Sequence, residues 1–402
     1  MNTASRYAIF ATLISDGQKI SDGALAIEDD RIRFAGSRDD WLTQSDADEF
    51  PEHPVPLGSI LIPGLIDLHN HGALGADFAN PEHGQVSDAL EYLHRAGTTT
   101  LLASLVTAEP AEMLRAAEIL AEFAEAGKIA GIHAEGPFLS EARCGAQDPR
   151  FLRDPDPEFI DELISASRGQ LRTMTYAPER PGSEELIEQL VALGVVPSLG
   201  HTNASAQVTA TSLQFAREQL QNAGVDGFTE KPTVTHLFNG MPSLHHREPG
   251  PVAACLEEAA RGNAYLELIA DDVHLSPETV RLVFNLIGGH RVVLVSDSMS
   301  ATGLSDGQYT LGPAKVTVSD GQARLADGSL AGGTATLLEV LRCTVSAGIA
   351  LTRAVESATS IPASLIGLAD EVGSLHYGFC ADVVVLDAQL ELHQVIRNGQ
   401  VL

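Results

Sequence analysis

The sequence predicts an α/β chain: a TIM-like (β/α)8 barrel joined to a small β-sandwich formed from both chain ends. Three observations lead there. Strand-like and helix-like runs alternate with a regular step through the middle of the chain. The two ends share a different pattern of short strands and tight turns. Five of the middle strands stop at a residue able to hold a metal or move a proton.

The ends come first. Ala8–Ile14, Gly23–Ile27 and Arg31–Ala35 read as strands separated by Asp-Gly and Asp-Asp turns, and Ala381–Asp387 and Gln394–Leu402 read as two more, the last folded at Asn398-Gly399. Residues 1–60 and 373–402 are therefore expected to share one discontinuous sandwich, leaving 61–372 as the barrel. Barrel strands are predicted to begin near Ile60, Thr98, Ile129, Leu171, Val195, Thr233, Tyr265 and Val292. Helices are predicted over 86–96, 110–126, 183–193, 204–223 and 276–287. Pro110 and Ser276-Pro277 suit helix starts, where a missing amide proton costs nothing. A Gly- and Asp-rich stretch over 302–333 holds an expected hairpin at 314–325, followed by helical character over 334–348.

The chemistry-bearing residues sit on this frame. Strand alternation sends His69 and His71, in Asp67-Leu-His-Asn-His71, to one side. Glu135 closes the third predicted strand, His201 the fifth, His236 the sixth and Asp297 the eighth. Catalytic groups of such barrels gather at the C-terminal ends of the strands, so all six side chains should converge. Imidazole and carboxylate are metal-ligand types, and satisfied core histidines would show no such convergence.

Composition limits the partners. With 402 residues, 44% hydrophobic and 20% charged, the chain reads as an ordinary globular protein. A formal charge of -29 argues against nucleic acid and anionic membrane surfaces. No apolar run approaches the roughly 18 residues of a membrane span. The N-terminal residues lack a signal-peptide pattern, so a cytoplasmic location is expected. Cys144, Cys255, Cys343 and Cys380 are widely spaced and read as free thiols.

Taken together, Pro63-Gly-Leu-Ile-Asp-Leu-His69, His133-Ala-Glu135-Gly-Pro, Gly200-His201-Thr, Thr235-His236-Leu-Phe-Asn239-Gly240-Met-Pro and Ser296-Asp297 resemble the amidohydrolase superfamily, most closely its N-acetylglucosamine-6-phosphate deacetylase branch. The likeness runs over nearly the whole chain, ending in Gly378-Phe-Cys-Ala-Asp382. Dihydroorotases and hydantoinases use a carboxylated lysine to bridge two metals. None of Lys19, Lys128, Lys231 and Lys315 closes the fourth strand here, so cyclic-amide hydrolysis is disfavoured.

The resemblance implies hydrolysis of a sugar-phosphate acetamide by one or two divalent metals, with zinc first and iron, manganese or cobalt as alternatives. One ion is expected on Glu135, His201 and His236. A second is expected on His69 and His71, sharing Glu135 and Asp297. Some relatives lack the first histidine pair and use one metal; this chain keeps it. Asp297 is the expected proton carrier, and His133 a support for the ligands. Sugar and phosphate recognition is assigned to Ala146, Gln147, Asn239, Gly240, Arg247, Asp271, His274, Leu330 and Gly332. A homodimer is expected, with Arg247 acting either within its own subunit or across the interface. Relatives carry a Gly-x-His stretch after Glu-Gly-Pro; here stands Cys144-Gly145-Ala146-Gln147, which puts sugar selectivity in doubt and makes Cys144 a candidate lid residue. The galactosamine epimer is the nearest rival substrate, and a silent assembly protein on the same scaffold a more distant one.

Overall fold

The computed structural model describes residues 5–224 and 229–402. Eight parallel strands pair in sequence order: Leu65–Asn70, Thr98–Val106, Gly131–Glu135, Leu171–Tyr176, Val196–Leu199, Thr233–Val234, Tyr265–Leu268 and Val292–Leu294. Nearly every residue in them is buried, as parallel strands covered on both faces require. The barrel closes beyond the last strand through side-chain and backbone bonds. Ser296 N–H donates to Asp67 Oδ1 at 3.1 Å, and Asp297 N–H to His69 O at 2.9 Å.

Helices cover the strands from outside, among them His83–Arg95, Pro110–Glu125, Pro157–Ala166, Ser183–Ala192, Ala206–Ala223 and Pro277–Ile287. Pro stands in the first turn of three of these, and Ser276 caps the last through the Thr279 amide. Leu93, Leu120, Leu163, Leu190 and Leu213 supply their buried faces and join one large core. Among the described residues, no helix is long and apolar enough to cross a membrane.

The chain ends build one seven-stranded sheet from Arg6–Ser15, Gln18–Glu28, Arg31–Ser37, Ile60–Pro63, Val383–Leu386, Leu392–Arg397 and Gln400–Val401. It rolls on itself, since Ile32 N–H donates to Phe379 O at 2.9 Å and Ala381 N–H to Asp30 O at 2.8 Å. Ile9, Leu25, Ile27, Leu61, Val383 and Ile396 share a separate core inside that roll.

One expectation needs correction. The run from Ile60 to Asn70 is two strands, and the first barrel strand begins at Leu65. Ile60–Pro63 pairs with Val383–Leu386 in the other sheet. The exchange falls on adjacent amides: Gly64 N–H donates to Asp382 O at 2.9 Å, and Leu65 N–H to Gly97 O at 3.0 Å. Only glycine fits between the sheets, because a Cβ on Gly64 would lie 2.0 Å from Thr99 Oγ1. The expected hairpin gains a third strand, Gly307–Leu311 with Ala314–Ser319 and Gln322–Arg324, and the next helix is Leu337–Ser346.

Candidate functional site

His69 and His71 leave the first barrel strand on one side, and Glu135 is the last residue of the third. His201, His236 and Asp297 lie just past the fifth, sixth and eighth strands, with φ of 45°, 28° and 48°. Left-handed backbone at non-glycine residues costs on the order of 1–3 kcal/mol each, and such strain collects at functional sites. Here it turns three chemistry-bearing side chains toward a common centre.

That centre is Glu135. Its Oε1 lies 2.8 Å from His236 Nε2 and 2.9 Å from His201 Nε2. Its Oε2 lies 3.4 Å from His71 Nε2. Asp297 Oδ1 stands 3.2 Å from His71 Nε2 and 3.4 Å from His69 Nε2, and the two Nε2 atoms are 3.0 Å apart.

The outer ring nitrogens reveal what this arrangement needs. His71 Nδ1 faces Ser104 O at 3.1 Å, His201 Nδ1 faces Arg143 O at 2.8 Å, and His69 Nδ1 faces Glu267 Oε2 at 3.4 Å. Carbonyls and carboxylates only accept, so each Nδ1 carries the proton and each neutral ring turns an Nε2 lone pair inward. Three lone pairs and two carboxylates then share one buried volume, which is costly unless positive charge lies among them. The titration behaviour says the same. Burial opposes charge on His71, yet hydrogen bonding to Asp297 and Glu135 lifts its pKa to about 9. His69 rises well above its ordinary value against burial, driven by Asp297 and Glu135, and His201 rises through Glu135. Burial would raise Asp297, but His69 and His71 hold it down to about 2. The site attracts cations, whether protons or a metal. Two ligand sets are close enough to hold one: His69, Glu135 and His236, and His69, His71 and Asp297. His201 stands outside both sets but reaches Glu135 directly.

His133 is different. Its ring bonds Ser104 Oγ at 2.9 Å and Thr175 Oγ1 at 2.8 Å, and burial pushes its pKa well down, leaving it neutral beside the cluster.

A cavity of about 310 Å³ opens above these groups. Ala146, Gln147, Asn239, Gly240, His274, Leu330 and Gly332 line it. Asp271 lies behind the wall and holds His274 Nδ1 at 2.8 Å. Gln147 has a second engagement: its amide donates to Glu135 Oε2 at 2.6 Å and accepts from Thr107 N–H at 2.6 Å. A side chain expected to greet sugar hydroxyls is thus committed to a carboxylate of the cluster. Arg247 is not brought to the cavity; it is exposed beside His246, 2.9 Å from that ring. Cys144 is half-buried and does not line the cavity. Burial, then the carboxylates of Asp327 and Asp148, push its thiol up, away from reactivity.

Sequence reasoning missed Glu267, Phe238, Leu311 and Ser329. Glu267 had a signal, a lone acid inside the apolar strand Tyr265–Leu268. Leu311 had none, because it reaches the cavity only once the hairpin folds over the barrel mouth.

Comparison with known proteins gives a consistent picture. Residues 60–402 match the model of the amidohydrolase family. The chain is 30% identical to N-acetylglucosamine-6-phosphate deacetylase of Bacillus subtilis (strain 168), over 97% of this chain and 95% of that protein. It is 33% identical to N-acetylgalactosamine-6-phosphate deacetylase of Escherichia coli O157:H7, over 86% of this chain and 90% of that one. A solved mutant of N-acetyl-D-glucosamine-6-phosphate deacetylase from Mycobacterium smegmatis, in complex with N-acetyl-D-glucosamine-6-phosphate, superposes with a TM-score of 0.86 at 36% identity, covering 99% of each chain.

Proposed function

The chain belongs to the amidohydrolase family, and from that premise we propose that it hydrolyses the acetamide of N-acetylglucosamine 6-phosphate to glucosamine 6-phosphate and acetate. One observation carries the reading: three imidazole lone pairs and two carboxylates face a single buried point at the floor of a sugar-sized cavity.

These residues fit a divalent metal. Glu135, His201 and His236 would hold one ion; His69 and His71, with Glu135 and Asp297, would hold a second. Zinc is the first candidate, and imidazole and carboxylate ligands suit iron, manganese and cobalt as well. A bound ion supplies an acidified water and a polarised acetyl oxygen. Asp297 does the proton work. Its carboxylate is ionised and lines the cavity, so it can take a proton from the attacking water and deliver it to the leaving amine. Gln147 fixes Glu135 while Asn239, Gly240, His274, Leu330 and Gly332 seat the sugar.

The phosphate needs a cation, and among the described residues no Lys or Arg lines the cavity. Arg247 of a second subunit would supply it, which makes a homodimer the working assembly. A phosphorylated substrate and four free cysteines fit the cytoplasm.

The galactosamine 6-phosphate epimer is kept as a second reading, because Gln147 is engaged with Glu135 and leaves hydroxyl selection to other groups. Acetate release from both 6-phosphorylated epimers tests the reading. The gluco substrate should turn over faster, and Asp297→Asn should slow it by at least about a hundredfold with the ion on Glu135, His201 and His236 retained. A galacto preference would move the assignment to that epimer. No release from either would remove the deacetylase reading.

A further inference from the structure

Glu267 is 4% exposed, sits in the middle of an apolar barrel strand, and pairs with no Lys or Arg among the described residues. A carboxylate so placed is expensive unless something compensates it. Two groups approach it, both through Oε2: His69 Nδ1 at 3.4 Å and the backbone N–H of His236 at 3.3 Å. His69 is itself fully buried, with its other nitrogen turned to His71 and Asp297.

We propose that Glu267 is the positioning residue for His69: it accepts the Nδ1–H, fixes the ring as an Nε2 ligand, and makes the His69–His71 pair a metal subsite in its own right. The inference rests on the metal reading of the site and extends it. Through the His236 amide the same oxygen also ties the sixth-strand ligand to the first-strand one.

The test strips the full-length protein with a chelator and titrates it with zinc alone, then with cobalt alone, following stoichiometry by calorimetry. Wild type should take two equivalents per chain. Glu267→Gln, which keeps the shape and loses the charge, should weaken one equivalent about 10–100-fold and leave the other nearly unchanged. Glu267→Ala should weaken the same equivalent further, with the melting temperature of the metal-free variants recorded as a folding control. A second measurement needs no variant: nitrogen-15 spectra of zinc-loaded wild type should show His69 protonated at Nδ1. Equal weakening of both equivalents, unchanged affinities in both variants, or a His69 ring protonated at Nε2 would overturn the proposal. A wild type that takes one equivalent overturns the second subsite alone. A wild type that takes none overturns the metal reading on which it rests.

Discussion

Replacing Gln147 with leucine should reveal how much the site depends on an uncharged amide. The side chain is 4% exposed and spans two buried partners, Thr107 N–H and Glu135 Oε2, at 2.6 Å each. Leucine keeps most of the volume, so the cavity contribution is small. The Thr107 amide loses its acceptor inside the protein, costing about 1–3 kcal/mol, and Glu135 loses a charge-assisted donor worth about 1.5–3 kcal/mol. The metal-free variant should therefore unfold about 3–5 kcal/mol more easily, read as a lower urea midpoint with an unchanged slope. Metal bound at Glu135 would replace part of the lost bond, so the deficit should shrink in the loaded protein. Gln147→Glu is the sharper control. It sets a second carboxylate against Glu135, and the pair must share a proton, so the penalty should ease as pH falls. A leucine variant within about 1 kcal/mol of wild type, with a glutamate variant indifferent to pH, would refute the bridging role.

Gly240→Ala should cripple the site without emptying it: φ is +61° there, and the added Cβ would lie 2.8 Å from His201 Nδ1, so metal titration should show weakened binding at the His201 ion. His94 governs a pH dependence. It is buried against Thr98 O and Lys128 O at 2.9 and 3.1 Å, and burial, with Arg397 adding, lowers its pKa to about 4. Its unfolded form binds a proton near pH 6.5, so stability is full above that pH and lost on falling toward 4, by at most roughly 3 kcal/mol. His94→Gln should flatten the melting-temperature profile across that window; an unaltered profile would show that other groups govern it. Arg247→Ala should depress kcat/KM for the phosphorylated sugar far more than for the neutral one, by about 2–5 kcal/mol, and mixing it with Asp297→Asn chains should restore part of the activity in hybrid dimers. Equal losses on both sugars would place phosphate recognition elsewhere, and no rescue would confine Arg247 to its own subunit.

Much of this was legible in the chain because strand ends carry it. The period-two pattern put His69 and His71 together, and the strand-end rule brought Glu135, His201, His236 and Asp297 to one mouth. What stayed hidden depends on contacts between segments far apart in sequence. The sheet exchange at Gly64 is set by Thr99 and Asp382, neither of which a local pattern can see. Gln147 offered two hydrogen-bonding ends, and only the folded loop decides that they meet Thr107 and Glu135. Arg247 shows the converse: a cation suited to phosphate by type lies exposed, outside the cavity of its own chain. Glu267 was readable as an acid in an apolar strand, but its purpose appears only beside His69.

The central claim is that the buried imidazole–carboxylate cluster holds divalent metal and that this metal is required to cleave a sugar-phosphate acetamide. The direct measurement removes metal from the wild-type protein with a chelator, restores zinc stepwise, and follows acetate release from N-acetylglucosamine 6-phosphate against bound metal. Turnover should be negligible in the stripped protein and rise in step with metal occupancy. Full activity in protein shown to hold no metal, or metal bound to saturation with no acetate released, would contradict it.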